Sequence, residues 1–237
     1  MNNGWMHSVR NEIVKTRQRS RSLGTLIIIG LVAAMSAWTY VSRAQNDSSA
    51  VQRIHATKAG PGKEVAVLAG GCFWAMQAMF SQLKGVDEVV PGYAGGNTPS
   101  PTYEEVCGHT TGYAESIRVT FDPKVISYHE LLTVFFSAHD PTTLDRQGDD
   151  EGPNYRSAIF YRTTEQKAAA MQAVAETNRR LGGNQVVTQV TPFTNFYAAE
   201  EYHNHYFAEH PDEPYCRFVV APKVEKFRDH WRAKLKS

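Results

Sequence analysis

Residues Val65–Phe80 read VAVLAGGCFWAMQAMF. An apolar run rich in β-branched residues ends on Gly70-Gly71; a thiol and two large aromatics follow, and the pattern then turns helical from Phe73 to Lys84. A short apolar run bounded by glycine is a buried strand, so Cys72 stands where a strand hands over to a helix. Two readings of that thiol are open. It is a small packing residue at a strand end, or it is a nucleophile with a pocket beside it. A helix start offers amide groups and a dipole that favour an anion, which is expected to lower the pKa of a thiol placed there. The glycine pair allows a sharp turn that leaves the sulfur uncovered, and Phe73-Trp74 supplies an apolar, polarizable wall of the kind that holds a methyl or thioether group.

The chain around this unit is ordinary in bulk. With 237 residues, 42% hydrophobic, it has material for one good core, and a net charge of +1 gives no reason to expect nucleic-acid binding. Three cysteines, Cys72, Cys107 and Cys216, are too few and too widely spaced for a disulfide-stapled scaffold, and an odd count leaves at least one thiol free or the pairing dynamic.

The N-terminus is a separate object. Arg10, Lys15, Arg17, Arg19 and Arg21 precede the apolar run LGTLIIIGLVAAMSAWTY, and the small residues Ser42 and Ala44 follow it. This reads as a signal peptide or membrane anchor over residues 1–44, with a polar linker at 45–62 and the working domain at 63–237. The apolar run approaches the ~20 residues of a bilayer span. Basic residues ahead of it keep that end cytoplasmic, so the domain is expected to be exported, periplasmic or anchored outside the cytoplasm.

Within the domain the elements alternate. EVAVLAG is a strand and Phe73 to Lys84 a helix; VVPGYAGGNTPSPTYEEV reads as a long ordered loop, a length usually kept for function. AESIRVTF alternates as a strand, and SYHELLTVFFSAHDP opens on a Ser127–Glu130 capping box and stops before Pro141. SAIFYR is a strand, TEQKAAAMQAVAETNRRLGG a helix ending at glycine, VVTQVTPF a strand, and PKVEKFRDHWRAKLKS a basic helix with a solvated face. The expected fold is α+β, a two-layer sandwich of helices on a mixed sheet around a ferredoxin-like core. EEYHNHYFAEH places Glu201 and His205 four residues apart, so one helical face there would offer two metal ligands.

GCFW, GYAGG, PTYEEVC, TGYAE, FDP and QGDDEGPNYRS, in this order and spacing from Val65 onward, resemble the peptide methionine sulfoxide reductase A family. The resemblance implies that Cys72 is the nucleophile attacking the sulfoxide sulfur, and that Phe73 and Trp74 hold the substrate methyl group. It implies that Tyr103, Glu115 and Tyr155 contact the sulfoxide oxygen and that Asp150 binds the substrate's backbone side. The chemistry agrees: a sulfoxide oxygen leaves only when protonated, and a carboxyl buried among aromatic rings has a raised pKa and carries a proton at neutral pH. Attack leaves a sulfenic acid that a second thiol converts to a disulfide. Cys216 resembles the family's recycling cysteine, Cys107 lies beside the catalytic loop, and a thioredoxin-like dithiol is the implied reductant, with no metal or organic cofactor. The substrate implied is oxidised methionine, free or in proteins, in its S-sulfoxide form. Ala75, Gln77, Tyr113 and Asp149 depart from the family's more frequent residues, and AEEYHNHY resembles a segment that is scaffold in the family.

Overall fold

The computed structural model describes residues 59–237; the apolar N-terminal segment and most of the linker lie outside the described residues. Strand β1 (Glu64–Gly70) and helix α1 (Phe73–Phe80) form the predicted unit, and all of β1 after Glu64 is buried. Beyond them come β2 (Val86–Ala94), α2 (Tyr103–Cys107), β3 (Ala114–Phe121), α3 (Tyr128–Ala138), the short pair β4 (Arg146–Gln147) and β5 (Asp150–Glu151), and β6 (Ser157–Tyr161). Helix α4 (Thr164–Leu181), β7 (Gln189–Pro192), β8 (Phe196–Ala198), α5 (Tyr206–Glu209) and α6 (Ala221–Trp231) complete the domain, with a five-residue π-helical turn at Cys216–Val220 leading into α6.

Six strands form one sheet in the order β7-β6-β1-β3-β2-β8, parallel between β6 and β7 and antiparallel elsewhere. The inner order β6-β1-β3-β2, with α1 joining β1 to β2 and α3 between β3 and β6, is the βαββαβ connectivity expected of a split βαβ core. Strand periodicity divides the core. Ala66, Leu68, Ile117, Val119 and Ile159 face the layer made by α1, α3, α4 and α6, while Val65, Val67, Ala69, Ala114 and Ala158 meet Phe160 and Phe196 on the other side. Burial on both faces is why β1 reads as a continuous apolar run instead of an alternating one.

Local signals act where expected. Ser127 and Glu130 close their capping box at the start of α3, and α4 ends on Gly182 in the left-handed region. The stretch from Val89 expected to be one long loop is instead the larger part of a nine-residue strand, a loop and a short helix. Pro91 is tolerated in β2 because the group required of it is its carbonyl, which accepts from the Ala199 amide at 2.9 Å. The strand expected over VVTQVTPF shortens to β7, and helix α1 ends at Phe80 rather than Lys84. The EEYHNHYFAEH segment does not form one helical face: Glu201–His203 is a 3₁₀ turn, His205 sits at φ 54°, and α5 begins after it.

Gly71 bears directly on the placement of Cys72. Its φ is +88°, and a Cβ there would come within 2.5 Å of the Gln147 side chain, which brackets Asp140 through both its amide groups. Only glycine lets the 140–147 loop close over the turn. Gly71→Ala is expected to lower stability by about 2 kcal/mol or more from the strained φ and the clash together. Denaturant unfolding checks this; an unchanged midpoint would contradict it.

Candidate active site

The β1–α1 turn, β3, α2, β5 and the turn Pro153–Tyr155 converge on one cavity of about 310 Å³. Its lining includes Cys72, Phe73, Trp74, Tyr103, Glu115, Asp150 and Tyr155, seven residues that sequence places up to 83 positions apart, and also Tyr206, Glu213 and Tyr215. Sequence reasoning missed the last three; the signal was an aromatic residue on each side of an acidic stretch, with Tyr215 directly preceding Cys216.

Each wall has a local cause. Glu115 has the parity of Ile117 and Val119, so it projects from β3 beneath α1, where its Oε2 accepts the Phe73 amide at 3.0 Å. Tyr103 is the first residue of α2, which starts on a Thr102–Glu105 capping box, and its amide donates to Glu200 Oε1 at 3.1 Å. The Trp74 indole stacks on Tyr206 with centroids 3.9 Å apart and donates to His203 Nδ1 at 3.1 Å. The Tyr215 hydroxyl donates to Asp150 at 2.8 Å and meets Lys223 across that carboxylate, 3.9 Å from Nζ to Oδ2.

The electrostatics correct one expectation and support another. Cys72 is 7% exposed, and burial, followed by the charge of a Glu115 carboxylate, pushes its thiol up to about 12. The Tyr215 hydroxyl and the Trp74 and Ala75 amides favour the thiolate but do not overcome burial, and no side-chain cap hydrogen bond forms at the helix start. The expected lowering of the thiol pKa is therefore not found. Glu115, 2% exposed, is pushed up to about 8 by burial, with Asp150 adding to the shift and the Phe73 amide opposing it. Burial also raises the phenols of Tyr103 and Tyr155, so both remain proton donors.

The other two cysteines stand back from the cavity lining. All three are free thiols. Cys107 is half-buried at the end of α2, in contact with the Tyr103 hydroxyl. Cys216 is fully buried, and its amide donates to Glu213 Oε2 at 3.1 Å. Two of the departing residues have structural partners: Gln77 bonds Val89, Asn204 and His205, and the Tyr113 hydroxyl donates to the Thr98 carbonyl.

A buried thiol, a neutral carboxyl and phenol donors around one aromatic cavity define a thiol-based oxidoreductase site. Residues 64–235 match the family model described as peptide methionine sulfoxide reductase, and the chain belongs to that family. It is 55% identical over 174 residues to a Thermus thermophilus protein named peptide methionine sulfoxide reductase MsrA, covering 73% of this chain and 98% of the relative. A Saccharolobus solfataricus protein of the same name is 50% identical over 173 residues, covering 73% and 97%. Among solved structures, Mxr1 from Saccharomyces cerevisiae in reduced form superposes with a TM-score of 0.62 at 35% identity, covering 67% of this chain and 92% of that one.

The raised Glu115 pKa has a consequence for stability. In the unfolded chain this carboxyl ionises near its ordinary 4.5, whereas in the fold it holds its proton to about 8. Its contribution is thus fully present below about 4.5 and is lost as pH rises to about 8. Glu115→Gln stays neutral while still accepting from Phe73. The melting temperature of E115Q relative to wild type is expected to climb between pH 5 and 8 and level off above. A gap independent of pH would contradict the neutral carboxyl.

Proposed function

We propose that this chain reduces methionine sulfoxide to methionine, with Cys72 as nucleophile and Glu115 as proton donor. The observation that carries the reading is the neutral Glu115 carboxyl in the same cavity as the Cys72 thiol and the Phe73-Trp74 wall. The sulfoxide methyl lies against Phe73 and Trp74, and its oxygen faces Glu115, Tyr103 and Tyr155. Cys72 attacks the sulfoxide sulfur as Glu115 protonates the oxygen. The protonated oxygen passes to Cys72 as its bond to the methionine sulfur and the transient bond between that sulfur and Cys72 break, which releases methionine and leaves a sulfenic acid, and the thiol proton restores Glu115. Thiol plus sulfoxide thus gives sulfenic acid plus thioether with no net proton change. Asp150, held by Tyr215, contacts the substrate's backbone side.

A second thiol then displaces water from the sulfenic acid to form a disulfide, and a thioredoxin-like dithiol reduces it while becoming a disulfide itself. Cys216 is the first candidate for the second thiol and Cys107 the other. Burial of Cys216 requires the Glu213–Val220 segment to open before it reaches Cys72. The preference for the S epimer, thioredoxin recycling and protein repair rest on the resemblance of the motifs. Export of the domain, with the membrane as partner if residues 1–44 are retained, rests on the basic lead-in and apolar run; protease access in intact cells tests it. A peroxidase or thiol transferase is disfavoured, because its reactive cysteine would not need Glu115 and the paired Tyr103 and Tyr155 in the same cavity.

Turnover of separated methionine sulfoxide epimers tests the reaction. Wild type is expected to reduce the S epimer, Cys72→Ser neither, and Glu115→Gln to slow the chemical step by about 10²–10⁴-fold. The wild-type rate falls as pH rises past about 8, where Glu115 loses its proton. Activity retained in C72S, or a preference for the R epimer, would sink the proposal. With a thioredoxin-type reductant, Cys216→Ser is expected to stall after about one turnover; an undiminished steady-state rate would assign the second step to Cys107 or to direct reduction.

A further inference from the structure

We propose that His203 is a positioning residue for the reaction: its Nδ1 accepts the Trp74 indole N–H and so fixes the apolar wall beside Cys72. The inference rests on reading that wall as the place of the sulfoxide methyl. Trp74 is stacked on Tyr206 with an interplanar angle of 12°. A stack sets the tilt of a ring but leaves it free to slide and rotate in its own plane. The edge bond to His203, 3.1 Å long, removes that freedom.

An indole N–H only donates, so His203 Nδ1 carries no proton and the ring proton sits on Nε2. Nε2 is buried without a hydrogen-bond partner; the Glu200 Oε2 atom stands 4.0 Å away and already accepts from Tyr93 Oη at 2.8 Å. That carboxylate favours the Nε2–H tautomer through its field, and its other oxygen holds the Tyr103 amide. The imidazole is 1% exposed and is packed among Phe73, Tyr103 and Tyr202, with centroids 5.0, 4.5 and 4.1 Å away. One histidine thus touches three residues that line the cavity, Phe73, Trp74 and Tyr103, without lining it itself. Burial lowers its pKa, which preserves the acceptor, against the opposing pull of Glu200 and Glu104.

The test compares His203→Phe, which keeps an aromatic ring and loses the acceptor, with His203→Asn, whose amide oxygen can replace Nδ1. H203F is expected to raise KM for methionine sulfoxide by about 3- to 10-fold, the loss of one neutral hydrogen bond, with kcat within about twofold of wild type. H203N is expected to return KM to within about twofold of wild type. A wild-type KM in H203F, a fall confined to kcat, or H203N as impaired as H203F would overturn the inference. A second measurement needs no His203 variant. In the ¹H–¹⁵N spectrum of wild type, the indole proton assigned through Trp74→Phe is expected downfield and protected from solvent exchange; exchange at the rate of free indole would overturn the role. A wild type without sulfoxide turnover would instead sink the proposed function, leaving the indole proton to decide the hydrogen bond.

Discussion

The site depends on one buried contact, the 3.0 Å bond from the Phe73 amide to the Glu115 carboxyl. It joins the first turn of α1 to the start of β3 beneath it and ties the residue after Cys72 to the acid of the site. The position calls for a buried acceptor without full charge. An apolar side chain would leave the Phe73 amide without an acceptor, and an ionised carboxylate would be costly at this depth. A neutral carboxyl satisfies the amide without full charge, and burial at 2% exposure keeps it neutral.

The same burial governs the thiol. Cys72 is buried in the same cavity, and a charge on Glu115 further disfavours one on its sulfur. Under the proposed mechanism both protons are in place before substrate arrives, and the sulfoxide oxygen draws the Glu115 proton across as Cys72 attacks its sulfur. The resting thiol is then a poor nucleophile toward peroxides and stray disulfides. On the same proposal, selectivity would come from requiring a substrate that is both apolar at its methyl and basic at its oxygen, the two properties matched by the Phe73-Trp74 wall and by the Glu115, Tyr103 and Tyr155 donors.

Much of this was legible in the residues, for identifiable reasons. The strand–glycine–helix unit, the Ser127 capping box and the Gly182 stop are local signals, and local signals held. Strand β2 was not legible, because Pro91, Gly92 and Gly95 argue for a loop; pairing with β3 and β8 overrides them. The seven cavity residues were found through motif order, yet His203 and Tyr206 lay in a segment whose spacing suggested metal ligands on a helix, and Tyr215 lay just beyond it. That helix is broken at His205, and the side chains turn instead toward Trp74. The pKa of Cys72 was misread because a helix start is visible in sequence whereas desolvation is not.

The central claim is that oxygen passes from substrate to Cys72. The most direct measurement is a single turnover without reductant, using protein with Cys107 and Cys216 replaced by serine, followed by mass analysis of the peptide carrying Cys72. The account predicts one methionine released per Cys72 and a sulfenic acid at that residue, captured by a dione probe. Methionine formed while Cys72 remains an unmodified thiol would contradict it.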